Sequence, residues 1–356
     1  MRTIGARAAL ALCLTLTLAG LGGGGWQASA AARPPRAAAA RSEAEGLAAL
    51  RAWMQQVMAW SQPYVTLQED FVNWVVALAG DIEKATDYRH DPKAGAAWAK
   101  AWAPTQHARL AELRARSLAL KGEPFPKAPA ALGGIAQIRI VTANMVGLPF
   151  ALDRLLAETA PTLHATIDTI AQAAAGDADA GKRLPGEAIG LDIALAKASM
   201  NSPDSAAGIP NHPLSDIHAA FQATWRADIA AEQAAQDVLS GKPVDRGALS
   251  ATLRTEAAKT DAALDSATRH IAVMRRSVVG MPDLAMKQSI ARLLDSMAET
   301  VSVFGEVAAV WRTLADKVDD PKSGPWDWVD GAAKVQEPLD RIAKQTAERR
   351  RMLGAL

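Results

Sequence analysis

Residues 50–78 read LRAWMQQVMAWSQPYVTLQEDFVNWVVAL, and the spacing of their apolar side chains decides the fold. Nine of these side chains follow one another at alternating intervals of three and four residues, without a miss. This spacing keeps one stripe of a helix facing a partner helix as the two wind around each other. Pro63 interrupts helical hydrogen bonding, but the phase continues beyond it. The stretch therefore predicts a kinked long helix, or two tightly joined helices, over about 43–88. We call the nine residues the first seam: Leu50, Trp53, Val57, Trp60, Tyr64, Leu67, Phe71, Trp74 and Leu78.

The carboxy-terminal half repeats this alternation from Ile290 to Val318. Pro282 and Asp283 suit the start of that helix, because proline fits the first turn and a negative charge favours the helix dipole. A weaker seam over 253–278 precedes it, so the two helices are predicted to pack as an antiparallel hairpin. Further helices are predicted over 92–120, 131–175, 186–199, 214–240 and 327–353. The chain is therefore predicted to be all-α, with long antiparallel helices in a coiled-coil-like bundle, as one elongated or two packed bundles.

The amino terminus has the three parts of a secretory signal peptide. Arg2 and Arg7 give it a positive start, residues 8–21 are apolar, and residues 28–30 (Ala-Ser-Ala) form a small-residue cleavage pattern. We expect residues 1–30 to be removed by cleavage near Ala30, and the mature protein to be periplasmic or secreted. The alternative is an uncleaved membrane tether, although the apolar stretch is shorter than the roughly 20 residues that span a bilayer.

Changes in composition divide the rest of the chain. An Ala-, Pro- and Arg-rich segment precedes the first seam, and a segment without apolar periodicity follows the fourth predicted helix. Loops of that length are either functional or mobile. The predicted divisions are a flexible tether at 31–42, an amino-terminal bundle at 43–199, a loop or linker at 200–213 and a carboxy-terminal bundle at 214–356.

Charge and composition exclude several classes of function. The chain has 39 basic and 38 acidic residues, so removal of Arg2 and Arg7 leaves 37 basic residues and a net charge of −1. Nucleic acid is therefore not an expected partner. Cys13 lies in the signal peptide, so disulfides and thiolate metal sites are not expected in the mature chain. Short metal, haem and nucleophile motifs are absent from the sequence. We assign no catalytic residue, no metal ligand and no cofactor, and no transmembrane span is expected in the mature chain.

Six residues are candidates for ligand or partner contact. Trp98 and Trp102 are four residues apart and share a helix face, and indole rings are favoured at interfaces. His212 and Asp216 form the best polar cluster, near His218, although helix capping is the simpler explanation. The tryptophans are also explained more simply as core. The remaining helical histidines, His107, His164 and His270, each stand alone in the sequence. The six candidates are Trp98, Trp102, His212, Asp216, Trp326 and Trp328.

These observations favour an exported, non-enzymatic helical bundle protein of the bacterial envelope. It would bind or scaffold through its helical faces, with self-association or another envelope protein as partner. The alternative is a periplasmic carrier or sensor domain for a small apolar ligand held between helices. An enzyme is the third hypothesis, with His212 and Asp216 as the residues to mutate.

Overall fold

The computed structural model describes residues 36–130, 136–200, 212–279 and 284–342. Within these ranges the chain is all-α, as predicted, and contains no strand. Helical backbone also covers 336–342. No described helix is long and apolar enough to cross a membrane. The helices are α1 (Arg36–Asp87), α2 (Pro92–Leu120), α3 (Ala136–Ala174), α4 (Ala178–Met200), α5 (Pro213–Leu239), α6 (Arg246–Val279), α7 (Leu284–Asp319) and α8 (Pro325–Ala333), with a short 3₁₀ turn at Tyr88–His90 between α1 and α2.

The helix α1 matches the long-helix alternative of the prediction, and it begins earlier than predicted. It runs through Pro63 and begins at Arg36, so residues 36–42 are helical instead of an irregular tether. Alanine has the highest helix propensity, which explains why this alanine-rich segment extends the helix. The seam residues from Trp53 to Leu78 are mostly buried. Packing on both sides of the proline therefore outweighs the missing amide hydrogen bond.

Three further prolines also lie inside helices. Pro149 and Pro161 lie inside a single helix, α3, within the stretch predicted as helical. Pro185 lies inside α4, which begins at Ala178 and not at the predicted residue 186. The Asp177 side chain accepts hydrogen bonds from the amides of residues 179 and 180 at 2.9 Å, and these bonds lower the pKa of Asp177. This capping starts the helix two turns before its proline.

The end of the chain also departs from the prediction. The predicted helix at 327–353 is divided, because α8 ends at Ala333 and helical backbone resumes at 336. The α8 amino terminus is fixed by Asp327, whose Oδ2 accepts a 2.7 Å hydrogen bond from the Gly324 amide. Residues 343–356 lie outside the described ranges, and so do 1–35.

The helices pack around two hydrophobic cores. One core joins residues of α1, α2, α3 and α4, and we call this part of the molecule the amino-terminal bundle. The other joins α5, α6, α7, α8 and residues up to Ile342, together with Ala196 of α4, and we call it the carboxy-terminal bundle. The Gln236 side chain donates to the Gly186 carbonyl oxygen at 3.2 Å and links α5 to α4. The division at 200–213 stays a prediction, because residues 201–211 lie outside the described ranges.

Neighbouring helices are antiparallel, as ion pairs between them show. Lys121 at the end of α2 meets Asp153 in the first half of α3, with 2.6 Å between Nζ and Oδ2. In the carboxy-terminal bundle, Arg275 and Arg254 of α6 meet acidic residues near the beginning and the end of α7 respectively. The coiled-coil detail of the sequence prediction stays a prediction.

Candidate functional site

The structure brings histidine and aspartate together at one place in each bundle. In the amino-terminal bundle, His107 of α2 lies between His164 and Asp168 of α3. We call these three residues the α2–α3 cluster. His164 and Asp168 are four residues apart and so occupy one face of α3. The sequence analysis left His107 and His164 as isolated residues, and the contact between them was not anticipated.

The two imidazole rings of the α2–α3 cluster meet edge to edge. Their Nδ1 atoms are 2.7 Å apart, and their ring centroids are 4.8 Å apart with 28° between the ring planes. The other ring nitrogen of His107, Nε2, lies 2.9 Å from Asp168 Oδ1. His107 and Asp168 retain 31% and 58% of their side-chain exposure, so the cluster is open to solvent.

The second cluster contains the predicted pair His212 and Asp216, with His270 added from α6. His270 Nδ1 lies 2.6 Å from Asp216 Oδ2, and both side chains are mostly buried. His212 is the amino-terminal cap of α5, and its Nδ1 accepts a 3.2 Å hydrogen bond from the Leu214 amide. We call these residues the α5–α6 cluster. A carboxylate that orients an imidazole is the arrangement of a general base.

The environment of His212 favours its neutral form. Burial lowers the pKa of His212 to about 4, the electrostatic effect of nearby His270 adds to the lowering, and Asp216 opposes it. Neutral imidazole can accept the capping hydrogen bond, whereas imidazolium cannot. The capping interpretation of His212 is therefore what the structure shows. His218, the third histidine of this sequence region, lies instead 3.0 Å from the Gln222 amide nitrogen.

The candidate tryptophans differ in their access to solvent. Trp98 is half-buried and stacks on Trp102 with ring centroids 4.8 Å apart. Trp102 is buried, and its indole N–H donates to Asp81 at 2.8 Å. At the start of α8, Trp326 is half exposed while Trp328 is buried under the Arg246 guanidinium. Only Trp98 and Trp326 of these four present a face to solvent in the described structure.

Arg246 explains why Trp328 is held inside. Its guanidinium donates to backbone carbonyl oxygens of residues 318, 320, 321 and 323, including 2.9 Å to Val318 and 2.8 Å to Asp320. These carbonyls end α7 and lead into α8. Arg246 therefore fixes the α7–α8 turn, and its stacking on Trp328 is part of that structural role.

The register of the helices explains which histidines the sequence could have paired. A tight turn at residues 240–243 places Asp216 opposite the region of His270, so the α5–α6 cluster follows from pairing α5 and α6 in antiparallel fashion about that turn. Pairing α2 and α3 about the loop that joins them does not give the observed contact. A turn centred near residue 126 would pair His107 with about residue 145, whereas His107 contacts His164.

The α2–α3 register is displaced because the loop at 121–130 lies along α1. Trp53 Nε1 donates to the Pro126 carbonyl oxygen at 3.1 Å, and Tyr64 donates to the Leu120 carbonyl oxygen at 2.6 Å. Phe125 packs edge-on against the rings of Trp53 and Trp60. No spacing rule in the sequence reveals this loop path.

Comparison with known proteins adds no assignment. No family model matches the chain, and neither a curated protein nor a solved structure gives a significant match.

Proposed function

We propose that this protein is exported to the bacterial envelope and acts there as a non-enzymatic helical bundle that binds a protein partner through its helical surface. The observation that carries this proposal is a set of large apolar side chains that stay exposed at one end of the amino-terminal bundle. Leu118 of α2 is 56% exposed, and Val146 and Phe150 of α3 are 41% and 50% exposed. We call these three residues the apolar end patch.

The members of the apolar end patch belong to neighbouring parts of two packed helices. The Lys121–Asp153 ion pair joins the end of α2 to the part of α3 that carries Val146 and Phe150. Val146 and Phe150 are four residues apart and share a face. The Lys121 Nζ atom lies 5.4 Å from the centre of the Phe150 ring. Apolar surface with charged groups at its rim is typical of protein interaction sites.

The signal peptide expected at residues 1–30 supports the proposed location, and the absence of catalytic motifs from the sequence supports a binding role. A second copy of the chain and another envelope protein are both suitable partners, because either one can cover the apolar end patch.

The experiment compares Phe150→Asp with Val273→Asp. Val273 lies on α6 and is also 50% exposed, so it matches Phe150 in burial but lies in the other bundle. The precursor and both variants are expressed in a Gram-negative host, and the periplasmic product is studied by native mass spectrometry and by cross-linking in intact cells. We expect a product that starts near residue 31 and an oligomer or cross-linked partner that Phe150→Asp loses and Val273→Asp retains.

Three results would contradict the proposal. The first is a product that remains in the cytoplasm uncleaved, which would contradict the proposed location. Alternatively, the wild type is a monomer without a cross-linked protein, or both variants retain the same complex. Circular dichroism of the variants checks that any loss of the complex is not a loss of the fold.

A carrier for a small ligand is the second candidate, and one observation favours it. The carboxy-terminal bundle buries the indole N–H groups of Trp225, Trp311 and Trp328, none of which has a hydrogen-bond acceptor among the described residues. An unpaired buried donor is costly, and an apolar ligand with an acceptor atom would relieve that cost at the N–H group that it reaches. A co-purifying small mass in the native spectrum, together with a shift of tryptophan fluorescence on its removal, would favour the carrier over the scaffold.

A further inference from the structure

We propose that His107 and His164 form a binding site for a divalent copper ion, and that Asp168 positions His107 for it. The site lies between α2 and α3 and does not depend on the function proposed above. It is assembled from residues on two helices, so binding an ion there ties the helices together.

The ring nitrogens of the α2–α3 cluster are placed as a pair of metal ligands. The two Nδ1 atoms are 2.7 Å apart, and the ring centroids are 4.8 Å apart. The nitrogens are therefore much closer together than the ring centres, so each Nδ1 lies on the ring edge that faces the other ring. In the metal-free pair, one Nδ1 carries the proton and donates a hydrogen bond, and the other Nδ1 accepts that hydrogen bond. When copper binds, His164 carries its proton on Nε2, and both rings turn so that the two Nδ1 lone pairs converge on the ion instead of pointing along the line between the nitrogens.

Asp168 selects the ring nitrogen of His107 that remains free. Its Oδ1 atom lies 2.9 Å from His107 Nε2, so in the neutral ring Nε2–H donates to the carboxylate and Nδ1 keeps its lone pair. Metal-binding histidines commonly donate their second N–H to a carboxylate in this way, which orients the ring and raises its basicity. Asp168 is therefore a positioning residue and not a ligand.

Ligand chemistry favours copper over zinc. The 2.7 Å separation of the metal-free pair is that of a hydrogen bond and changes when the rings turn toward an ion, so the choice of metal rests on the two imidazole ligands. Divalent copper adopts square-planar geometry and binds nitrogen ligands most tightly in the first-row series.

Solvent completes the coordination of the ion. Among the described residues, no group of three or more His, Cys, Asp or Glu side chains has the geometry to hold a metal. The protein thus supplies two imidazole nitrogens, and the exposure of His107 leaves room for water ligands. Two protein ligands predict weaker binding than at a closed structural site with four protein ligands.

The experiment titrates the purified full chain with copper(II) chloride, and with zinc chloride in parallel, by calorimetry. Electron paramagnetic resonance of the copper complex then reports the number of nitrogen ligands. We expect one copper ion per chain, coupling to two protein nitrogens, and weaker binding of zinc. His107→Ala and His164→Ala should abolish this binding, while His270→Ala in the other bundle should leave it unchanged.

Asp168→Asn tests the positioning role separately. We expect copper affinity to fall about 10- to 100-fold, with a changed resonance spectrum, and Asp168→Glu to restore part of the affinity. Circular dichroism and thermal unfolding identify any variant that loses the fold, and His164→Gln then replaces His164→Ala. Copper binding that survives both histidine substitutions, a spectrum without coupling to two nitrogens, or no binding at all would each overturn the proposal. An unchanged Asp168→Asn variant would overturn the role of Asp168.

Discussion

The amino-terminal and carboxy-terminal bundles use the same residue types in opposite ways. In the amino-terminal bundle, the buried tryptophans Trp53, Trp74 and Trp102 each donate their indole N–H to a protein acceptor. In the carboxy-terminal bundle, three buried indole N–H groups have no such acceptor among the described residues. The buried indole N–H groups named in the first bundle therefore have protein acceptors, whereas those of the second bundle have none among the described residues.

The histidine clusters of the two bundles also differ in how their side chains are paired. In the α2–α3 cluster, two imidazoles face each other and the aspartate lies outside the pair. In the α5–α6 cluster, the aspartate bonds to His270, while His212 is engaged in capping a helix. Equal composition thus gives a pair of ligand nitrogens in one bundle and an oriented imidazole in the other. Residue types alone do not define a site, because the register of the helices decides which atoms meet.

The largest expected difference concerns the glycines at helix contacts. A Cβ atom added at Gly95 of α2 would lie 1.8 Å from the Ala174 carbonyl oxygen, which is backbone and cannot move aside. At Gly305 of α7, the nearest atom is the Leu264 Cδ1 at 4.0 Å. We expect Gly95→Ala to lower the free energy of unfolding by about 3 kcal/mol or more, and Gly305→Ala to raise it by up to about 1 kcal/mol.

Urea unfolding followed by circular dichroism measures both glycine variants. Equal effects of the two substitutions would contradict the described approach of α2 to the end of α3. Loss of cooperativity in Gly95→Ala alone would show that the amino-terminal bundle depends on this contact.

The next effect is a dependence of stability on pH that originates in the α5–α6 cluster. The pKa of His212 is about 4 in the folded chain and about 6.5 in the unfolded chain. Between these values the unfolded state binds more protons, so stability falls as the pH falls from 6.5 to 4. Because His212 is partly exposed, we expect its contribution to be at most about 3 kcal/mol.

The matched control for this effect is His212→Asn, since asparagine also caps helices but does not titrate. We expect the variant to unfold at nearly the same urea concentration as the wild type at pH 8, and at a higher concentration at pH 5. Parallel pH profiles of the two proteins would show that His212 does not hold a lowered pKa.

Sequence periodicity predicts the all-α fold, because seams such as Leu67–Phe71–Trp74 are buried as their spacing requires. The helix start next to Pro185 is predicted wrongly, since Pro185 lies within α4, which capping and packing maintain. Packing is a tertiary effect that local propensity does not include.

The two histidine clusters also differ in how well local sequence rules predict them. Asp216 and His270 lie opposite each other across a tight turn, and local rules can recover this contact. His107 and His164 meet only because the loop at 121–130 is held along α1 by Trp53 and Tyr64. A contact that depends on the path of a long loop is beyond what sequence spacing can predict.

The smallest expected effect is the difference in stability between two tryptophan variants, one from each bundle. Trp53 and Trp225 are 1% and 2% exposed, so they match in burial, but only Trp53 donates its N–H to a protein acceptor. Replacing either residue by phenylalanine removes similar volume. Trp53→Phe also leaves the Pro126 carbonyl oxygen without this donor, whereas Trp225→Phe removes a donor that was already unsatisfied. We expect Trp53→Phe to cost about 1 kcal/mol more in urea unfolding than Trp225→Phe. If Trp225→Phe costs as much or more, its indole N–H has an acceptor in the native protein, and the difference between the two bundles must be revised in favour of a bound ligand or water.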